Sequence, residues 1–360
     1  MYNLRSDVYD YLEKNPGTAT KDLIMKFGVS GRSSRRYLQH FRNGTAVRYE
    51  VKDVRAVSQS MEDYETQDWD VHKFLELAPS LVEQADKNDP IITHDEHRFK
   101  VDKPIGIIFA SCMHLGGRYT AYDKFREVFR YALDTPGLYF AMLGDDIEGF
   151  LDTFRDQDAI KQQLIPLNRQ LDVLEDVLSQ LKDANKLLFG SGSQHGGKWL
   201  LRDTGENPIK RMYMDTFEVP FYDGPAYLKI HVGEQTYHAA VAHEFPGNSA
   251  YNPNHPQKKA LWQRFPMADM IVMGDKHTPA MQYQTVYQDE VEAGNRKSPG
   301  VWLLQSGTLK TGPDRFGLQL GFPKGEFGWP IVLLHPDHHY VEVTLSLYRE
   351  RQMLGNLIKF

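Results

Sequence analysis

Five short apolar runs, IGIIFA, YFAMLG, KLLFGSG, YHAAVAH and MIVMGD, lie between residues 104 and 280, each followed by Gly or polar residues. Runs this brief and this continuous fit strands buried on both faces rather than strands with one wet side. Helix-period segments at 122–133 and 160–181 separate the first three. Short buried strands alternating with helices predict an α/β layered fold. Beyond residue 280 the chain turns Gly- and Pro-rich, with VWLLQ and PIVLLHP as further strands, so that end is predicted to be mostly β.

The residues at the end of each run narrow the chemistry. Ser111-Cys112-Met113-His114 follows the first and Asp145-Asp146-Ile147-Glu148 the second. Gln194-His195 follows the third, His243-Glu244 the fourth and Asp275-Lys276-His277 the fifth. Strand ends of a layered α/β fold converge on one edge. His, carboxylate, amide and thiol groups gathered there suit one or two divalent ions.

Composition bounds the rest. A chain of 360 residues is long for one domain. Its 41% hydrophobic and 25% charged content is that of a globular protein, not a disordered or fibrous one. The net charge of −6 argues against a general polyanion binder. No apolar run approaches the roughly 20 residues that span a bilayer, and MYNLRSDVYD lacks a signal-peptide layout. The single cysteine, Cys112, has no intramolecular partner, which predicts a reducing, cytoplasmic setting without a membrane.

Charge divides the chain. Residues 1–56 hold 11 Lys and Arg against 6 Asp and Glu, whereas residues 57–100 hold 4 against 11. This predicts a small basic domain at 1–56, an acidic linker with a short helix around Trp69 and Phe74–Leu77 at 57–103, and a large domain at 104–360. The head reads as three short helices and a hairpin. Val8, Tyr11 and Leu12 form one stripe, Leu23, Ile24 and Phe27 a second, and Leu38 with Phe41 a third. Gly28 closes the second helix and Ser30 caps the third. Arg32, Arg35 and Arg36 face outward on that third helix, and 45–51 alternates like a strand of a wing. The arrangement resembles a winged helix-turn-helix whose arginines contact nucleic acid, DNA above all. A basic helical domain that binds only protein is the other reading.

The five blocks resemble those of the calcineurin-like metallophosphoesterases. Cys112-x-His114, Gly144-Asp145-x-x-Glu148, Ser193-Gln194-His195-Gly196, His243 and Gly274-Asp275-x-His277 follow the family's order over residues 104–315. The resemblance implies a two-sheet β sandwich flanked by helices with a two-metal site at its edge. It implies one ion on Cys112, His114, Asp145 and His277, and another on Asp145, Gln194, His243 and Asp275. It also implies that His195 protonates the leaving oxygen. Three positions depart from the family: Cys112 replaces Asp, Gln194 replaces Asn, and Asp275 replaces His. All three replacements can bind metal, and the thiol shifts preference toward zinc or iron, with manganese the harder option. Joined to a basic head, the resemblance implies a phosphodiesterase acting on DNA, closest to the SbcD-like nucleases. The alternatives are a catalytically impaired DNA-binding platform and a phosphomonoesterase or protein phosphatase.

Weaker signals complete the reading. Leu164, Leu167, Leu171, Leu174, Leu178 and Leu181 form a short heptad seam, read as a helix packed on the sheet or as a homodimer contact. Lys198, Arg202 and Lys210, and Tyr251, Asn252 and His255, are candidates to face substrate. Thr308 and Lys310 are placed at the cleft rim, and His338 and His339 in a solvated turn.

Overall fold

The computed structural model describes residues 2–27, 31–43, 46–49, 78–80, 92–150, 160–161, 163–249, 251–286, 298–312 and 324–345. The chain divides into two compact units, 1–92 and 93–360.

Among its described residues the first unit has a strand, β1 (Tyr2–Arg5), three helices, α1 (Ser6–Lys14), α2 (Thr20–Phe27) and α3 (Gly31–Arg42), a second strand, β2 (Ala46–Tyr49), and a helical stretch at 78–80. Val8, Leu12, Leu23 and Leu38 bury together, with Tyr9, Tyr11, Tyr37 and Phe41 packed around them. Asp22, in the first turn of α2, accepts from the Ala19 backbone N–H at 2.9 Å and caps that helix. β2 pairs with β1 in parallel, from Tyr2 opposite Ala46 to Arg5 opposite Tyr49. That pair is not the antiparallel hairpin of a wing, and the segment after Tyr49 in which a second wing strand would fall lies outside the described residues. Gly28 and Ser30 lie outside the described residues, as does the linker segment 69–77.

The second unit begins at Thr93 rather than 104. Residues assigned above to the linker form β3 (Thr93–Phe99), which pairs in parallel with β8 (Ala226–Val232). Its sequence, THDEHRF, is nearly all polar because an edge strand alternates half-buried and exposed positions, with Phe99 packed against the margin of the core.

Two six-stranded mixed sheets build this unit. The first runs β14-β13-β4-β5-β6-β7 (Val341–Thr344, Ile331–Leu334, Ile105–Ala110, Leu138–Met142, Leu187–Ser191, Phe221–Tyr222). Strands β4, β5, β6 and β7 are mutually parallel, and β13 closes antiparallel on β4. The second runs β11-β12-β10-β9-β8-β3, where β11 is Ala280–Thr285, β12 Gly300–Gln305, β10 Met270–Met273 and β9 Gln235–Ala242. There β9, β10 and β12 are mutually parallel.

The sheets pack face to face over Ile105, Ile107, Phe109, Phe189, Leu228, Val241, Val272 and Leu304. On the outer face of the first sheet, Ile108, Phe140 and Met142 meet α4 (Tyr122–Asp134) and α5 (Leu167–Asp183). The leucine seam is consumed there: Leu174, Leu178 and Leu181 are buried in this core and Leu167 and Leu171 pack against it. α5 starts at Leu167 and not at 160 because Pro166 occupies its N-cap, leaving Leu164 exposed ahead of it. Two short helices, α6 (Trp199–Thr204) and α7 (Pro208–Arg211), lie between β6 and β7. On the second sheet α8 (His255–Gln263) donates Gln257 Nε2–H to Leu304 O at 3.1 Å. The result is the α/β layered fold expected from the strand pattern, built as the two-sheet sandwich with flanking helices that the resemblance implies. Among the described residues no helix is long and apolar enough to cross a membrane.

Candidate metal centre

Five strands deliver the site from their C-terminal ends, three from the first sheet and two from the second. Cys112 and His114 leave β4, Asp145 and Glu148 leave β5, Gln194 and His195 leave β6, His243 leaves β9, and Asp275 and His277 leave β10. The backbone at these exits is unusual. Cys112, His114, Asp145, Asp275 and His277 all have φ between 47° and 65°. Non-glycine residues rarely adopt this left-handed region, and clusters of them mark functional sites where surrounding structure enforces the strain. Backbone bonds do so here: Cys112 N–H donates to Gly144 O at 2.9 Å, and His114 N–H to Asp145 O at 3.0 Å. Two glycines are required by close approach. A Cβ on Gly274 would lie 1.9 Å from Ser111 Oγ, and one on Gly144, at φ +89°, would lie 2.6 Å from Ser193 Cβ.

Cys112, His114, Asp145 and His277 present one ligand atom each within 4.8 Å of one another. His114 Nε2 is 3.1 Å from His277 Nε2. The second expected group stands beside the first. His243 Nε2 lies 3.4 Å from Asp145 Oδ2 and 3.7 Å from Asp275 Oδ1, so Asp145 faces both groups. Gln194 opens a π-helical turn, Gln194–Lys198, of a kind often found at functional sites. That turn also brings the His195 backbone N–H to Asp145 Oδ1 at 2.9 Å.

The donor set fits a metal. His243 donates Nδ1–H to Leu143 O at 2.7 Å. Its buried Nε2 is left with no hydrogen-bond partner, as a ligand nitrogen would be. Thiol, imidazole and carboxylate together suit zinc, iron or manganese. Burial pushes the Cys112 thiol well up, reinforced by Asp145, so ligation by this sulfur is coupled to loss of its proton. Burial alone would raise the Asp145 carboxyl, but the imidazoles of His243, His195 and His114 outweigh it and hold it well below the usual carboxylate range.

A second ring of contacts supports these groups, and Glu148 is its hub. Glu148 Oε2 lies 3.0 Å from His114 Nδ1, and Oε1 lies 2.7 Å from Lys310 Nζ. The Glu148 backbone carbonyl accepts from His195 Nδ1 at 2.6 Å. Burial opposes ionisation of Glu148, yet His114 and then Lys310 bring its carboxyl down to about 2. A carboxylate on the far nitrogen of a ligating histidine fixes its tautomer and orientation. Lys310 is not at the rim, as the sequence suggests, but buried, 5% exposed, in this ion pair. Trp199 carries no local sequence signal, yet it belongs to the site. It stands 4.3 Å from the His195 ring, centroid to centroid, with Phe150 at 5.1 Å on the same imidazole.

Other candidates fare differently. Lys210 is paired with Asp223. Lys198 and Arg202 are exposed, as is Tyr251. Asn252 and His255 hold their own loop, with the His255 N–H donating to Asn252 O at 3.1 Å. His338 is exposed, but His339 is not solvated: it bonds Asp269 Oδ1 at 2.9 Å and stacks on Tyr237 at 4.5 Å. The polar HPDHH tract conceals this, because both partners lie far back along the chain. In the first unit Arg35 is exposed on α3, whereas the side chains of Arg32 and Arg36 lie outside the described set.

No protein-family model and no curated protein matches the sequence. Among solved structures, TT1561 of Thermus thermophilus is similar at 11% identity and TM-score 0.34, over 67% of this chain and 98% of that one. A metallophosphoesterase from Sphaerobacter thermophilus is similar at 15% identity and TM-score 0.30, over 71% and 95%. The calcineurin-like phosphoesterase YfkN from Bacillus subtilis is similar at 10% identity and TM-score 0.33, over 71% and 96%.

Proposed function

We propose that the second unit is a metal-dependent phosphoesterase that cleaves phosphodiesters in nucleic acid, DNA in the first instance, and that the basic head supplies nucleic-acid contact. One observation carries the hydrolytic part: Cys112, His114, Asp145 and His277 converge within 4.8 Å at the strand ends, on a backbone strained at every one of them. Cys112, His114, Asp145 and His277 would hold one divalent ion, and Asp145, His243, Asp275 and Gln194 a second. Such ions, when bound, polarise a phosphoryl oxygen and acidify water.

The protein's own part is proton handling and orientation. His195 Nδ1–H is committed to Glu148 O, so Nε2 is the atom left to pass a proton to the departing oxygen. Burial holds this imidazole below the ordinary histidine range, and Asp145 opposes that shift without cancelling it. A proton on Nε2 is therefore readily released. Trp199 and Phe150 fix the ring.

A second reading has a specific observation behind it. Asp275 Oδ2 sits 2.7 Å from Lys276 Nζ, so the carboxylate standing at the family's histidine position is already engaged by a cation. Gln194 brings no charge to offset this. A chain that holds one ion, or none, and binds DNA as a platform would look like this at the second position.

The test is cleavage of DNA by metal-loaded protein alongside chromogenic phosphate mono- and diesters. Diester and DNA hydrolysis supports the proposal. Monoester hydrolysis alone points to a phosphatase, and no metal-dependent hydrolysis to a platform. For the head, replacing Arg32, Arg35 and Arg36 together by Ala should weaken DNA binding and flatten its salt dependence, by about 0.9 in the log–log slope for each phosphate no longer neutralised. Small-diester hydrolysis should not change. Unchanged DNA affinity would exclude the head as the contact.

A further inference from the structure

At the other end of the first sheet stands a separate cluster of ligand-type side chains. β13 ends at Leu334, which pairs with Ile105 at the start of β4, and the turn His335-Pro336-Asp337-His338 follows. The strand-end centre lies beyond the finish of β4, roughly 20 Å away along the strand direction. The turn therefore shares no residue and no end of the sheet with that centre.

We propose that this turn is a second metal site, taking one transition ion of the zinc class through His335, Asp337 and His338.

Three observations carry it. The first is convergence: the three residues place one ligand atom each within 4.8 Å of one another, and the two imidazole centroids are 4.6 Å apart. The second is an outer partner of the kind ligating histidines have. His335 Nε2 is 3.0 Å from Glu342 Oε1, which is on the neighbouring strand β14. An imidazole that donates Nε2–H to a carboxylate keeps its Nδ1 lone pair for a ligand. Asp337 Oδ1 and His338 Nδ1 are 2.8 Å apart, a separation that a shared proton or a shared cation both satisfy. The third is rigidity. The hydroxyl oxygen of Tyr237, a buried side chain from the second sheet, lies 2.8, 3.0 and 3.2 Å from His335 O, His338 O and Tyr340 O, and its single proton serves one of these carbonyls at a time. It also accepts from the His335 N–H at 3.1 Å. A loop fixed from beneath at several points spends little conformational entropy in binding, the condition under which a three-ligand site holds an ion.

Imidazole and carboxylate with positions left for water favour zinc over magnesium or calcium, which prefer all-oxygen shells. An ion here would fasten the β13–β14 turn of the first sheet at the point where Tyr237 joins it to the second.

The experiment counts zinc. Full-length protein is stripped of metal, dialysed against zinc chloride and analysed for zinc per chain, in wild type and in Asp337→Asn/His338→Gln. Asp337 and His338 are 78% and 57% exposed in their side chains, so the pair can be replaced without disturbing the core. The double variant should bind one zinc fewer than wild type. His338→Gln alone should lose the same equivalent, and Glu342→Gln should weaken it by about 10–100-fold. Asp145→Asn, which strikes the strand-end centre, should leave that equivalent in place. Equal zinc in wild type and the double variant would overturn the proposal. So would equal zinc in Asp145→Asn with and without Asp337→Asn/His338→Gln, since the equivalent would then belong to the strand-end centre.

Discussion

The two halves of the strand-end centre share Asp145 but are built differently. Cys112, His114 and Asp145 are buried and His277 is half-buried, and a ring of fixed partners stands behind them: Glu148 on His114, and Lys310 on Glu148. Around His243 and Asp275 the support is thinner. His243 is buried and anchored to Leu143 O, but the Asp275 side chain is 23% exposed and shared with Lys276. Gln194 and Asp275, two of the three positions that differ from the motif pattern the sequence resembles, fall in this half. The first position is thus expected to hold its ion tightly and the second weakly.

The largest test of this contrast is Asp145→Ala, which removes the carboxylate common to both halves. Several kcal/mol of transition-state stabilisation should vanish, about 10³-fold or more in turnover, with both ions lost in elemental analysis. Retained metal would mean that the halves do not share this residue.

Next comes His195→Asn, which should leave metal content near wild type. It should lower DNA turnover at least tenfold, within the 10²–10⁴ typical of general acid–base catalysis for a poor leaving group. The drop should be smaller on a chromogenic diester, whose leaving group needs less proton assistance. Equal rates for variant and wild type on both substrates would move the acid elsewhere. Asp146 is then poorly placed, being buried against Tyr213, and Glu244 at the exposed end of β9 becomes the candidate.

Lys310→Met probes the frame of the first half alone. Metal affinity there should fall by about 10–100-fold, and Lys310→Arg should recover part of it. If affinity is unchanged, Glu148 does not need its cation to hold His114.

The smallest expected effect is Asp275→His, which exchanges a carboxylate engaged by Lys276 for an imidazole and frees that lysine. Occupancy of the second position should rise while the first stays constant, measured as metal per chain at a fixed, limiting metal concentration. A fall in occupancy would show that Asp275 already serves as a ligand.

Much of this organisation is legible in the sequence because the strands concerned are buried on both faces. IGIIFA and MIVMGD read as strands since parallel strands in a covered sheet carry no polar alternation. The candidate ligand residues are visible because each follows closely on such a run. Illegible features depend on distant partners. β3 reads as linker because an edge strand of THDEHRF lacks any apolar run. Lys310 reads as a rim residue because nothing local tells that Glu148, 162 residues earlier, meets it at 2.7 Å. The pairing of β2 with the N-terminal strand is not legible either, because a strand names no partner. His339 looks solvated in a tract whose neighbours are polar, although it stacks on Tyr237.

The central claim is that the strand-end cluster is a metal centre, and elemental analysis tests it most directly. Protein purified without chelator, then supplied with manganese, zinc or iron, should carry at least one ion per chain at this centre. That ion should persist in the Asp337→Asn/His338→Gln variant and be lost in Asp145→Ala. Well under one ion per chain in the Asp337→Asn/His338→Gln variant, with all three metals, would contradict the account.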